Sequence, residues 1–330
     1  MDKKKNGGLL FRFFNYNRAN RPDAVEEDTR PTVKRYFKLL GRRFWKLVSL
    51  NLMMIPMVLP LILIFILYTG QTMTPSATDP LFSQIYGAGL QKSSPILTTL
   101  LDLFGPQTKI PASGNTWSYI LIGACVLFLV VTFGWQNVGA TYILRNMVRG
   151  EPVFIISDYF YAIKRNLRQG FLMGVLDALI LFLLGFDLIY FSGMTGSFGL
   201  DVCYFAIIAL IIIYFFMRFY IYLMLVTFDL SIKKILKNAL IFSALGIKRN
   251  LMGALGIIGW TAANVILFLL LINVNIAIPL ILPVIYYLSF TAFTSAFAAY
   301  PVIEKYMITP YQTESDPESE EEALPEEESV

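Results

Sequence analysis

The chain has 330 residues, 56% of them hydrophobic and only 15% charged, with a net charge of +4 and no histidine. A water-soluble domain carries about a quarter of its residues as charges, so much of this surface must meet lipid instead. The missing histidines remove the commonest general base near neutral pH, and the two cysteines, Cys125 and Cys203, lie apart in apolar runs where they read as packing residues.

In chain order, residues 1–31 read as a basic cytoplasmic arm. Some 44 polar or mixed residues precede the first apolar run, too many for a secretory signal, whose apolar core follows a short basic start. About 20 mostly apolar residues cross the hydrocarbon core as a helix. Residues 32–312 supply six such stretches, at about 45–68, 117–141, 170–190, 202–228, 251–272 and 277–300. The predicted fold is all-α, a polytopic membrane bundle of about six transmembrane helices with short interfacial helices. Pro56 and Pro60 in the first span and Pro283 in the sixth should kink their helices. Between the first two spans, Ser94-Pro95 ahead of Ile96, Leu97, Leu100, Leu101 and Phe104 predicts a short capped helix. Only residues 273–276 separate the last two spans, which makes them a tight hairpin. Residues 313–330 hold nine acidic residues and no basic one, and bury too little apolar area to fold. They read as a disordered acidic tail, either merely solvated or docking on a basic partner.

Lysine and arginine bias sets orientation. Residues 1–44 carry twelve basic side chains, the loops after the second and fourth spans five each, and the final segment Lys305, against Lys92 and Lys109 on the other side. The basic side is the cytoplasm, both termini lie there, and the membrane is the plasma membrane. The excess of cations therefore reads as topology and not as a nucleic-acid surface.

Each outward span follows a short segment with apolar residues at helical spacing. These are Val33, Tyr36, Phe37, Leu40 and Phe44, then Ile156, Tyr159, Phe160, Ile163 and Leu167, then Ile232, Ile235, Leu236, Ala239, Leu240 and Ser243. Ser157 or Asp158 is placed to cap the second. Helices of this kind lie in the interface with their lysines toward anionic headgroups. Ile163-Lys164-Arg165-Asn166-Leu167 recurs 84 residues later as Ile247-Lys248-Arg249-Asn250-Leu251, with Gly41-Arg42-Arg43 as a looser first copy. The pairs Lys164, Arg165 and Lys248, Arg249 are basic anchors, and Asn166 and Asn250 are placed to cap the helices that follow. Three parallel copies of one unit (interfacial helix, outward span, returning span) account for this; basic pairs placed by the positive-inside rule alone are the other explanation.

The run from Val138 to Phe154, through Arg145, Asn146, Gly150, Glu151 and Pro152, is followed by Ser157 to Asn166. With Phe44 to Leu47 and Leu50 to Leu52 at the start of the first span, it resembles the YesL-like family of bacterial integral membrane proteins, a domain of unknown function. The resemblance covers most of residues 34–250. It implies an accessory or permease-like part beside carbohydrate uptake systems, with separate solute-uptake subunits as partners, and it carries over no catalytic residue. The long segment 69–116 and the acidic tail depart from the family pattern.

Ionisable groups inside spans are costly and mark candidate sites. Here they are Asp177 and Asp187 in the third span and Arg218 in the fourth. At about 1.5 Å per residue, Asp177 and Arg218 lie at similar depths, which predicts an ion pair that either fixes helix register or serves a substrate or proton. Asp187 falls near the outer end. Gly170, Gly174 and Gly185, and Gly253, Gly256 and Gly259, suit close helix packing. No motif for a cofactor, a metal or a nucleotide stands out, so the sequence points away from an enzyme. It leaves an accessory uptake component, a self-standing transporter, and a membrane scaffold or sensor.

Overall fold

The computed structural model describes residues 31–69, 71–75, 107–111, 116–194, 197–271 and 277–310. The helices are α1 (Val33–Arg42), α2 (Phe44–Met53), α3 (Ile55–Thr69), α4 (Thr116–Arg149), α5 (Ile155–Arg165), α6 (Leu167–Ser192), α7 (Phe198–Thr227), α8 (Ile232–Leu245), α9 (Ile247–Leu271) and α10 (Ala277–Ile303). The fold is an all-α helical bundle. Four helices, α4, α6, α7 and α9, are each long and apolar enough to cross a membrane, and α2 with α3 makes a fifth if the broken pair is one span. The protein is embedded in a membrane. The sixth apolar stretch lies in α10, a continuous helix of 27 residues.

The first predicted span breaks at Met54, where α2 and α3 meet at 52°. Pro56 follows two residues later; it has no N–H to offer the carbonyl of Leu52, and its ring crowds that turn. Pro60 stays inside α3, and Pro283 and Pro301 inside α10. After Pro301 the backbone widens into a π turn over Glu304–Ile308.

Contacts gather the chain into two units, residues 1–55 with 130–330, and residues 56–129. The smaller unit contains an antiparallel ribbon that the apolar pattern did not announce, Gln71–Pro75 (β1) paired with Gln107–Pro111 (β2). The predicted helix after Ser94, the arm up to residue 30 and the acidic tail lie outside the described residues.

In the larger unit the core sits toward one end of the bundle. Buried residues concentrate in the last turns of the three returning helices: Val138 to Val148 in α4, Tyr214 to Val226 in α7 and Phe290 to Ile303 in α10. Arginines close open carbonyls at the ends of α4 and α7. Arg35 Nη2 donates to the Val148 carbonyl (3.0 Å) and Arg145 Nη1 to that of Val226 (2.8 Å), while Arg43 Nη1 donates to the Glu151 carbonyl just beyond α4 (2.9 Å). A cation at a helix C-terminus both fills an acceptor and meets the negative end of the dipole.

Three helix junctions share one backbone geometry. Arg43 (φ −102°, ψ 13°), Asn166 (φ −113°, ψ 27°) and Gly246 (φ −87°, ψ 13°) each break the helix by a single residue. The breaks at 166 and 246 are 80 residues apart, whereas the repeated sequence is 84 apart. The third break therefore comes about one turn early, and Asn250 lies inside α9. Asn166 stands at the N-cap position of α6 as expected, but its side chain makes no capping bond there, and Asn250 is no cap because α9 has already begun at Ile247. Asn166 Nδ2 donates back to the Ala162 carbonyl (3.0 Å), and Asn250 Nδ2 to the Ser243 carbonyl (2.9 Å). Both finish the preceding helix, whose last carbonyls have no partner of their own.

The interfacial helices bury only one edge of each apolar stripe. In α5, Tyr159 and Ala162 are buried while Ile156 and Phe160 stay exposed; in α1, Leu39 and Leu40 are buried while Val33 and Phe37 are exposed. The exposed edge is available to acyl chains. Phe154 holds the N-cap position of α5, and Asp158 in the first turn reaches back so that its Oδ2 accepts from the Phe154 N–H (2.8 Å). Burial against α4 pushes the Tyr159 phenol up to about 12.

Gly246 is required by space. A Cβ there would lie 2.2 Å from the Tyr220 hydroxyl oxygen, which donates to Asn250 Oδ1 (2.6 Å). Gly246→Ala is expected to cost about 2 kcal/mol by overpacking, read as a lower thermal midpoint in detergent. Tyr220→Phe in the same background should recover part of that loss.

Candidate functional site: a buried carboxylate between helices

Small residues first bring the backbones together. A Cβ on Gly134 of α4 would lie 1.9 Å from the Gly170 carbonyl oxygen, and one on Gly174 would lie 2.3 Å from the Gly134 Cα. The backbones of α4 and α6 therefore touch where no side chain fits. Asp177 follows Gly174 by one turn, on the neighbouring surface of α6. On α7, Tyr214, Arg218 and Tyr222 recur every four residues, and so share one face.

That face closes on Asp177. The Tyr214 hydroxyl donates to Asp177 Oδ1 (2.7 Å) and the Tyr222 hydroxyl to Oδ2 (2.8 Å). Arg218 Nε lies 3.2 Å from Oδ1 as an ion pair, though its N–H is not aligned for a hydrogen bond. The guanidinium carbon sits 5.7 Å from the Phe133 ring centroid, within reach of a cation–π attraction. Asp177 is 0% exposed, while the Arg218 side chain keeps 31%. Each oxygen of the carboxylate thus accepts from one phenol. One negative and one positive charge leave the cluster neutral, which makes its burial tolerable.

The structure thus brings Asp177 and Arg218 together and leaves the other sequence candidates apart. Asp187 is half-buried and lies ten residues farther along α6, about 15 Å away by helical rise. Lys164 and Arg165 are exposed at the end of α5 and line a cleft of about 440 Å³ beside the end of α7. Lys248 is exposed and Arg249 half-buried at the start of α9. Gly253 and Gly256 pack on α10, where added Cβ atoms would meet Ala298 (2.9 Å) and Thr294 (2.6 Å), whereas Gly185 and Gly259 face open space.

Tyr214 and Tyr222 were not singled out from sequence, although their placement four residues either side of Arg218 is the signal that marks them. Arg145, which had no place among the candidate site residues read from sequence, is buried among Val226, Asn146 and Tyr142. Other polar groups are likewise tied inward. Asn51 spans a turn of α10, donating to the Val284 carbonyl (2.5 Å) and accepting from the Ser289 N–H (2.8 Å). Tyr36 joins Thr294 (2.8 Å) to the Trp260 indole N–H (3.0 Å). Among the described residues no three Cys, Asp or Glu side chains gather as a metal site. Compared with family models, curated proteins and solved structures, this chain finds no match.

Proposed function

We propose that this protein is an accessory component of a membrane assembly, neither an enzyme nor a transporter acting alone. The observation that carries this reading is the arrangement around Asp177. Its two oxygens each accept from a hydroxyl and lie against the Arg218 guanidinium as an ion pair, and a carboxylate that binds and releases a travelling solute needs lone pairs and charge that become free. The cluster then fixes the register of α6 and α7 and holds the shape that partners recognise. Solute uptake, of carbohydrate in particular, and separate uptake subunits as partners are drawn from the resemblance to the YesL-like family. Energy for such uptake would come from another chain. We place the protein in the plasma membrane with six spans and both termini in the cytoplasm, on the strength of 23 basic side chains against two.

Liposomes holding only this chain are expected to take up no more radiolabelled mono- or disaccharide than empty ones, with or without Asp177→Asn. Pull-down from native membranes should instead recover uptake subunits. Saturable uptake by the chain alone, lost on Asp177→Asn, would overturn the accessory reading in favour of the transporter.

A further inference from the structure

A second feature lies away from Asp177. Between α1, α9 and α10 runs a slot of about 180 Å³, walled by Val33, Phe37, Met252 and Phe297, with Gly253 and Gly256 along it. Its polar groups besides Arg249 are few, and Tyr36 and Thr294 are already bonded to one another. Arg249 stands at the slot in the first turn of α9, half-buried. Among the described residues its one hydrogen bond is a long one, 3.5 Å from Nη1 to the Pro31 carbonyl. A guanidinium has five N–H donors in a planar fork, so most of its capacity is unfilled.

We propose that this slot holds one acyl chain of an anionic phospholipid, with the lipid phosphate on Arg249. The chemistry fits at both ends. An apolar channel beside a membrane helix takes methylene groups, and Val33 and Phe37 at its rim are exposed where acyl chains lie. The cation sits where α9 starts, the depth of a headgroup, and the guanidinium fork matches two phosphate oxygens at once. Lys248 beside it adds a second positive charge toward a headgroup of net negative charge. The inference goes beyond the accessory role and needs only that the chain be embedded in a membrane.

The test is native mass spectrometry of the full chain in detergent, incubated separately with palmitoyl-oleoyl-phosphatidylglycerol, the matching phosphatidylcholine, and oleate. One phosphatidylglycerol should be retained, and the other two lost at the same collision energy. Arg249→Gln should cut that occupancy about tenfold, as loss of a charged hydrogen-bond donor does. Val33→Trp, which fills the slot from its exposed rim, should do the same. Lys234→Gln, an exposed cation on α8 that does not line the slot, should leave it unchanged. All variants are compared at a matched monodisperse elution peak. Equal loss in Lys234→Gln, retention in Arg249→Gln, or oleate held as firmly as phosphatidylglycerol would each overturn the proposal.

Discussion

Arg218→Leu is expected to lower the stability of the detergent-solubilised protein by about 3 kcal/mol, as removing one partner of a buried pair does. The reason is asymmetry of exposure. Asp177 is 0% exposed and cannot reach water, so the variant must keep a bare carboxylate inside the bundle or protonate it. The double variant Asp177→Leu/Arg218→Leu removes both charges and is expected to be more stable than Arg218→Leu alone, although two buried hydroxyls lose their acceptor. Tyr214→Phe and Tyr222→Phe each delete one hydrogen bond to a charged group and should cost less, about 1.5 kcal/mol. The measurement is the fraction remaining monodisperse after heating, followed by size exclusion. Losses that simply add in the double variant would show that the two residues do not act as a pair.

Gly174→Leu should be worse still, and should take the Asp177 cluster with it. Even the first added carbon would lie 2.3 Å from backbone atoms of Gly134, and neither helix has a flexible side chain there to yield. The helices must separate, which moves Asp177, one turn away, off the Tyr214 and Tyr222 hydroxyls. Gly174→Ala is expected to cost about 3 kcal/mol, the upper range for overpacking, and Gly174→Leu to prevent recovery of folded protein. Gly185→Ala, in the same helix but facing open space, is the control. It should be neutral or slightly stabilising, because alanine is the better helix former by about 1 kcal/mol. Equal behaviour of the 174 and 185 variants would mean that the contact between α4 and α6 is not what holds the third span.

The two sets of variants separate position from chemistry. The glycines set how near α6 lies to α4, and that distance decides where the carboxylate is. The tyrosines and arginine decide what environment it meets. Changing the first should disturb both, whereas changing the second should leave the contact between α4 and α6 intact. Cross-linking of cysteines introduced at exposed positions on α4 and α6 reads that contact directly.

Much of this was legible in the chain because lipid reads sequence almost one residue at a time. A helix of apolar side chains satisfies its own backbone hydrogen bonds, so length and hydropathy are enough to mark it, and α4, α6, α7 and α9 stand where the apolar runs are. The similar depths of Asp177 and Arg218 followed from a fixed rise per residue. Which faces met did not, because all sides of a membrane helix are apolar and hydrophobic periodicity no longer points inward. Only the packed helices decided that Gly170 and Gly174 meet Gly134 while Gly185 meets nothing, that Tyr214 and Tyr222 close on Asp177, and that Arg35 and Arg145 fill helix ends. The turn by which the break at Gly246 precedes Asn250 was equally hidden, since a motif records residue order and not the point at which a backbone bends. Local chemistry determined that these segments are membrane helices; contact between helices, where a single Cβ or hydroxyl has or lacks room, decided the rest.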